Sequence, residues 1–219
     1  MNDSGKYQIQ VEKEHYDFKQ YVDQKRWMSY YYQIREAVAS GCSSFLVVGK
    51  GDGIVSLIIS EILCLENCIV DTYDFDDRLY PTYIGDIRNL NSVVKKEYDC
   101  IICCQVLEHL EWRYFEKIIE QISSICNSRT ILSLPMHRLA FSLIIDFPKF
   151  HNKVCNVIIP RFWKKKWIFK GGGEHYWEVG IKNRRKKDIL RVVKRHFNIV
   201  REYVVPENTY HWFIILEKN

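Results

Sequence analysis

The sequence of 219 residues predicts an α/β fold whose mostly parallel sheet ends in an antiparallel hairpin. Short apolar runs alternate with segments of helical apolar spacing between residues 45 and 134, and this alternation is typical of parallel strands joined by right-handed crossovers. A cluster of glycines follows the first apolar run, as in the ligand-binding loops of such folds. Two further apolar segments near the end of the chain are separated by only a short turn, which predicts an antiparallel pair.

The composition indicates one globular domain over residues 1–219. Apolar residues make up 47% of the sequence and charged residues 27%, a balance that excludes a disordered chain. The formal net charge of +5 is too small to indicate nucleic-acid binding unless the positive residues are clustered.

The apolar runs and the cysteines indicate the compartment. The longest nearly uninterrupted apolar run, 139–145, is well short of the roughly 20 residues that cross a bilayer, and the polar N-terminus predicts no signal peptide. Most of the eight cysteines lie inside apolar runs, which favours free thiols in a reducing, cytoplasmic compartment. Cys100 and Cys103 have zinc-type spacing but no second ligand pair nearby, so we expect no metal site.

The segment 41–135 is predicted to form a ligand-binding core of strands and helices. Each predicted strand is a short apolar run, and these runs are 45–48, 68–73, 82–85, 98–103 and 130–134. Helices with one apolar face are predicted over 54–65 and 112–125.

Three other segments are predicted to surround this core. Residues 1–40 are aromatic-rich and largely helical, which predicts an N-terminal cap. Residues 136–180 show no clear periodicity, and because long irregular segments are usually functional or mobile, we expect a lid. Residues 181–219 are predicted to contain a basic helix and then the hairpin, with bounds of 188–197 for the helix and 199–205 and 211–216 for the strands.

The glycine cluster Gly-Lys-Gly-Asp-Gly, residues 49–53, indicates a ligand site. Glycines let the backbone turn sharply and approach a ligand, and the following helix offers unpaired amides. Asp74 lies 21 residues after Gly53, at the end of the second strand, where a carboxylate can accept hydrogen bonds from both ribose hydroxyls. Ile54 replaces the third glycine of the dinucleotide fingerprint, and no Gly-Lys-Ser/Thr sequence is present. A ligand with adenosine but no pyrophosphate is therefore favoured.

These motifs resemble those of class I S-adenosylmethionine-dependent methyltransferases of the small-molecule type with a Leu-Glu-His-Leu motif. The similarity spans roughly residues 16–217. The matching segments are the glycine loop at 49–53, the acidic strand end at 73–76, the adenine-side motif at 83–87 and Gln-Val-Leu-Glu-His-Leu at 105–110. The resemblance implies a Rossmann-like sheet of seven strands, mostly parallel with an antiparallel last strand, and helices on both faces.

The resemblance also implies S-adenosyl-L-methionine as cofactor and S-adenosyl-L-homocysteine as product. The glycines would pass under the methionine moiety, Asp74 would bind the ribose, Asp86 would accept a bond from the adenine amino group and Gln105 would border the sulfonium. The implied cofactor-binding residues are Gly49, Gly51, Gly53, Asp74, Phe75, Asp86, Ile87 and Gln105.

Methyl transfer to a hydroxyl needs a group that removes its proton, and histidine suits this task. Two histidines follow the fourth and fifth strands, at the edge where ligands bind open α/β sheets. The segment 171–178 adds acidic, imidazole and aromatic groups after three glycines. The predicted catalytic residues are His175, His109, Glu178 and His137. The predicted substrate-binding residues are Tyr30, Trp177 and His211.

The sequence therefore predicts a methyltransferase that acts on a small-molecule, sugar or metabolite acceptor, at oxygen. One alternative is an RNA or DNA methyltransferase that uses the basic run 182–187, although Cys-Gln-Val-Leu at 104–107 replaces an Asn/Asp-Pro-Pro-aromatic motif. Another is a non-catalytic cofactor-binding partner subunit, because Val47 stands where the family often has an acidic residue. The aromatic and basic segment 162–167 is expected to cover the substrate, with membrane contact as a lesser alternative.

Overall fold

The computed structural model describes residues 16–64, 67–147, 150–160, 175–181 and 183–219. Nine strands lie within these ranges: β1 (Ser44–Val48), β2 (Ile69–Asp74), β3 (Tyr83–Ile84), β4 (Tyr98–Cys104), β5 (Cys126–Pro135), β6 (Arg138–Phe147), β7 (Phe150–Pro160), β8 (Phe197–Val204) and β9 (His211–Lys218). The helices of the same ranges are α1 (Phe18–Tyr21), α2 (Gln24–Val38), α3 (Ile54–Ile62), α4 (Leu90–Val93), α5 (Phe115–Ser124) and α6 (Lys186–Val193).

Seven of these strands form one sheet with the order β3-β2-β1-β4-β5-β9-β8. Strands β1 to β5 pair in parallel, whereas β9 runs antiparallel to both β5 and β8. The predicted seven-stranded sheet with an antiparallel last strand is therefore confirmed. The order reverses between β1 and β4, which is where ligands bind in open α/β sheets.

Both faces of the sheet are covered by helices because successive residues of each strand point to opposite sides. On one side Ile101 and Cys103 pack with α5 and α6. On the other side Cys100 and Ile102 pack with α2 and α3. Cys100 and Cys103 thus lie in different core layers, on opposite faces of the sheet.

A buried carboxylate attaches α2 to the sheet. Glu36 is 1% exposed and accepts hydrogen bonds from Tyr203 at 2.8 Å, from Arg35 at 3.0 Å and from Arg201. Burial by itself would raise the pKa of Glu36, but these hydrogen bonds outweigh it and the pKa is lowered. This anchor holds α2 where its N-terminal half can border the carboxyl edge of the sheet.

The structure corrects the expectation that 136–180 is irregular. Strands β6 and β7 form a separate antiparallel ribbon, paired from Arg138 with Pro160 to Phe147 with Phe150. Apolar side chains such as Phe141, at 64% exposure, are exposed along the ribbon. Because apolar residues follow one another at 143–145 and 157–159, the two-residue alternation that marks a half-buried strand is missing from the sequence. Residues 161–174, including the aromatic and basic segment 162–167, lie outside the described ranges, and the lid remains a prediction.

The end of the chain also differs from its predicted bounds. Helix α6 spans Lys186–Val193, because Asp188 accepts a hydrogen bond from the backbone of Arg185 and so caps the helix two residues earlier than predicted. Phe197, predicted as the last helical residue, is buried and begins β8. Within the described ranges, every helix is too short or too polar to cross a bilayer.

Candidate active site

A cavity of about 460 Å³ lies at the carboxyl edge of the sheet, beside β1, β2 and β4. It extends from the glycine loop after β1 to the segments that follow β4 and precede β9. Most of the predicted site residues line it: Gly49, Gly51, Asp74, Phe75, Asp86, Ile87, Gln105, His109, His175, His211 and Tyr30. The predicted residues outside its lining are Gly53, His137, Trp177 and Glu178.

The glycine loop has left-handed backbone that other residues rarely adopt. Gly49, Gly51 and Gly53 have φ angles of 80°, 54° and 77°, and Gly53 is the N-cap of α3. A Cβ atom on Gly49 would lie 2.4 Å from Cγ2 of Val106, so the loop and the residues after β4 touch at this glycine. Only a residue without a side chain lets the loop form the cavity wall here.

Substitution of Gly49 by alanine is expected to destabilise the fold by about 2 kcal/mol more than the same substitution at Gly41, because overpacking adds to the backbone strain. Gly41 is the matched control, since its φ is 68° but a Cβ there would meet no atom within 4 Å. Urea unfolding of both variants measures the difference. Equal losses would show that the contact with Val106 carries no energetic cost.

A tyrosine of helix α2 forms a hydrogen bond with the glycine loop. The hydroxyl of Tyr30 donates to Asp52 at 2.6 Å, and the other oxygen of Asp52 accepts from the amide of Ile54 at 3.1 Å. Burial and the neighbouring carboxylate both raise the pKa of Tyr30, so this phenol stays protonated. Tyr30 thus lines the cavity and also fixes the glycine loop.

The acidic end of β2 faces the glycine loop. Asp74 is 8% exposed, and one of its carboxylate oxygens accepts from the amide of Asp76 at 3.1 Å. Burial raises the pKa of Asp74, although backbone amides including those of Lys50 and Gly51 act in the opposite direction. This is a buried hydrogen-bond acceptor at the cavity wall, in the place predicted for ribose binding.

The residues predicted to lie beside the adenine follow β2 and β3. Phe75 exposes 46% of its surface, Ile87 is buried, and both line the cavity. Asp86 is held by Arg88, whose Nε lies 2.7 Å from Oδ2, and its Oδ1 also accepts from the backbone of Arg88 at 2.9 Å. The carboxylate of Asp86 is therefore fixed in orientation while it borders the cavity.

Gln105 connects the end of β4 to the inner part of the site. Its φ of 57° turns the chain from β4 towards the short 3-10 helix Leu107–His109. With its nitrogen turned towards the acceptors, its amide donates to Glu108 and to Nε2 of His211, each at 3.3 Å, and accepts from Ser133 at 3.0 Å. Burial lowers the pKa of His211 to about 3, so this imidazole is neutral at physiological pH.

A network of histidines and carboxylates forms the inner end of the site. The carboxylate of Glu178 accepts hydrogen bonds from Nδ1 of His175 at 3.1 Å, from Nδ1 of His137 at 3.2 Å and from the hydroxyl of Tyr210. Burial alone would raise the pKa of Glu178, but the hydrogen bonds from His175 and Tyr210 lower it. Glu178 therefore acts behind the cavity wall, as the acceptor that orients His175.

Glu108 and His109 lie on the cavity side of His175. The rings of His109 and His175 meet edge to face with centroids 4.9 Å apart, and Nε2 of His175 lies 4.0 Å from Oε1 of Glu108. Glu108 is fully buried, which raises its pKa to about 7 against the opposing effect of His175. Three titratable groups thus converge at one end of the cavity.

The sequence missed two residues of this site, and one assignment was misplaced. These two residues are Tyr210 and Glu108. Each is the sequence neighbour of a predicted site residue, His211 and His109, and this adjacency is the signal that could have indicated them. Trp177, predicted to bind substrate, is instead a core residue with 3% exposure. Its indole donates to the carbonyl of Leu110 at 2.9 Å, because a buried indole needs an acceptor.

The sheet order, the glycine loop and the cavity at the carboxyl edge together define the Rossmann-like fold of S-adenosylmethionine-dependent methyltransferases. The chain is similar to magnesium protoporphyrin IX methyltransferase (ChlM) from Synechocystis PCC 6803, solved with bound S-adenosylhomocysteine, with a TM-score of 0.57, 15% identity and coverage of 98% of this chain and 90% of that one.

Two further solved structures share this fold. The PH0226 protein from Pyrococcus horikoshii OT3 has a TM-score of 0.58 and 11% identity, with 95% of this chain and 100% of that one covered. The glycopeptide N-methyltransferase MtfA has a TM-score of 0.52 and 11% identity, with 85% and 94% covered. No protein-family model and no curated protein sequence matches the chain.

Proposed function

We propose that the protein is an S-adenosylmethionine-dependent methyltransferase that methylates an oxygen atom of a small-molecule, sugar or metabolite acceptor. The observation that carries this proposal is the cavity itself. The glycine loop and Asp74, a buried carboxylate that can accept hydrogen bonds from ribose hydroxyls, line one end of it. The histidine and carboxylate cluster lines the other end. Methyl transfer needs a binding site for the methyl donor next to groups that orient the acceptor hydroxyl and take its proton.

The residues of the cavity fit the proposed cofactor. The left-handed glycine loop leaves room for the methionine moiety against the backbone, and Asp74 offers buried carboxylate oxygens to the ribose. Phe75 and Ile87 provide apolar surface for the adenine, next to the fixed carboxylate of Asp86. Solved neighbours with this fold carry S-adenosylhomocysteine or S-adenosylmethionine, in line with the assignment.

The chemistry of the step places few demands on the chain. S-adenosylmethionine supplies a methyl group on a sulfonium sulfur, and that sulfur keeps the electron pair of the broken bond when the acceptor oxygen bonds to the methyl carbon. The protein must then orient the acceptor and receive its hydroxyl proton. The cluster of Glu108, His109 and His175 can receive this proton, while Glu178 fixes the orientation of His175.

A nucleic-acid acceptor has less support, because much of the basic run 182–187 is engaged within the protein. The guanidinium of Arg184 lies 4.3 Å from the ring of Trp112, and burial lowers its pKa. Arg185 pairs with Asp188, and Lys186 with Glu202. The non-catalytic alternative rests on Val47, which lines the cavity with an apolar side chain where relatives of the proposed family often have a carboxylate.

Calorimetric titration with S-adenosylhomocysteine is expected to show binding of one equivalent in the micromolar range, with NADH as a control ligand that does not bind. The physical reason is that the glycine loop and Asp74 suit a ligand with adenosine, whereas Ile54 stands where a dinucleotide-binding loop has its third glycine. Absence of heat with S-adenosylhomocysteine, or equal binding of NADH, would contradict the proposal.

Substitution of His175 by asparagine is expected to reduce methyl transfer to an accepted hydroxyl compound by about 10²- to 10⁴-fold, because the group that assists proton removal is lost. Affinity for S-adenosylhomocysteine should change little, since the glycine loop and Asp74 lie at the other end of the cavity. Transfer of labelled methyl groups to a panel of sugars and phenols measures the effect. His196→Gln, at the turn before β8 and outside the cavity lining, is the control, and undiminished turnover in His175→Asn would refute the assignment.

A further inference from the structure

We propose that Glu108, His109 and His175 form a binding site for a divalent transition-metal cation at the acceptor end of the cavity. The cysteine pattern of the sequence predicts no metal site, and these three residues lie outside that pattern. The metal site itself is independent of the proposed function, but the role given to it below rests on that function.

The ligand atoms of the three side chains already converge. One atom from each residue lies within 4.8 Å of the other two, and Nε2 of His175 is 4.0 Å from Oε1 of Glu108. A cation with ligand distances of about 2.1 Å holds tetrahedral ligands about 3.4 Å apart, so ligand atoms that lie within 4.8 Å of one another need to approach by no more than about 1.4 Å. Two imidazoles and one carboxylate form a ligand set that suits Zn²⁺, Co²⁺, Mn²⁺ or Fe²⁺ better than Mg²⁺.

The surroundings of His175 match those of a metal-bound histidine. A metal-bound imidazole almost always donates a hydrogen bond from its second ring N–H to a carboxylate or carbonyl, and this bond fixes the orientation of the ring. Here Nδ1 of His175 faces Glu178 at 3.1 Å, and Nε2 points towards Glu108. Glu178 is itself held by His137 and Tyr210, so the orientation of His175 is determined by a supported carboxylate.

The environment of Glu108 is the second independent observation. This side chain is 0% exposed, and its Oε2 has no hydrogen-bond partner among the residues that the structure describes. A buried carboxylate oxygen without a partner is costly, and a bound cation would satisfy it. Cys104 also lines the cavity but does not belong to this ligand set.

A cation at this place leaves coordination positions that face the cavity. The hydroxyl or phenol oxygen of the acceptor can occupy one of them, and coordination makes such a hydroxyl more acidic, so its proton passes to solvent water. With the cation bound, the two imidazoles act as its ligands; transfer of the proton to the histidines, as in the proposed function, then applies to the metal-free protein. The acceptor class is then an oxygen nucleophile able to ligate a metal, such as a phenol or a vicinal diol.

Cobalt titration of the untagged, EDTA-treated protein tests this site directly. Co²⁺ is expected to bind in a 1:1 ratio and to produce visible d–d absorption without the near-ultraviolet thiolate band that a cysteine ligand would add. Zn²⁺ should displace the cobalt signal, whereas Mg²⁺ should not.

Matched variants locate the bound ion. His175→Gln and Glu108→Gln should each weaken Co²⁺ binding by more than about 100-fold, and Glu178→Gln by about 10- to 100-fold through the lost orientation of His175. His196→Gln should bind Co²⁺ as the unmodified protein does. Circular dichroism establishes that each variant is folded. If a variant does not fold, the spectrum of the unmodified protein still decides the question.

Three results would overturn the inference: no cobalt absorption, a thiolate band, or unchanged binding in folded His175→Gln. Calorimetry with S-adenosylhomocysteine on the metal-free protein separates this outcome from the proposed function. Cofactor binding without cobalt binding would refute the metal site alone. Cobalt binding without cofactor binding would leave the site in place and refute the methyltransferase.

Discussion

Asp74→Asn is expected to weaken binding of S-adenosylhomocysteine by about 10- to 100-fold. Asparagine keeps the shape of the side chain but loses the charge, and a hydrogen bond to a charged group contributes about 1.5–3 kcal/mol. Asp74 is 8% exposed at the cavity wall, so little water can reach this position to accept hydrogen bonds from the ribose hydroxyls in place of the lost charge. Calorimetric titration of the variant measures the loss of affinity.

Asp77→Asn provides the matched control for this experiment. Asp77 lies three residues later in the same acidic stretch, is exposed and does not line the cavity, so its substitution should leave the affinity unchanged. Asp74 also accepts the amide of Asp76, and thermal unfolding of both variants shows whether the strand end survives. An unchanged affinity in folded Asp74→Asn would show that the cofactor site has been assigned to the wrong residue.

Trp177→Ala is expected to lower the free energy of unfolding by about 3–5 kcal/mol, the range for deletion of a buried tryptophan. The ring of Trp177 contacts Trp112 and Phe115 edge to face, with centroids 5.0 Å and 5.5 Å away. Together with the hydrogen bond to Leu110, these contacts attach the segment that carries His175 to the core. Denaturant unfolding followed by circular dichroism measures the loss.

Trp177→Phe separates packing from hydrogen bonding at the same position. It keeps most of the aromatic contact and loses the indole donor, so the expected cost is about 1–2 kcal/mol. A residue that only contacted substrate would leave stability unchanged in both variants, and that result would restore the interpretation made from the sequence. Because His175 lies two residues before Trp177, Trp177→Ala should also weaken the cobalt binding described above.

The core of the fold and the position of the glycine loop and Asp74 at the cavity could be predicted from the sequence. Each of these features is encoded within a few neighbouring residues: an apolar strand, glycines with left-handed backbone at 49, 51 and 53, and an acid at the end of the next strand. Local sterics and side-chain periodicity decide such features, and parallel pairing then brings the carboxyl ends of β1, β2 and β4 to one edge.

The sequence could not determine the inner end of the site. Its residues belong to four separate segments, which contain Glu108, His137, His175 and Tyr210. They converge only because β5 pairs with β9 and Trp177 packs in the core. The ribbon of β6 and β7 was missed because its exposed apolar residues remove the usual alternation. Backbone preference and hydrophobic pattern act over a few residues and can be read from the sequence, whereas contacts between distant side chains exist only once the topology has placed them together.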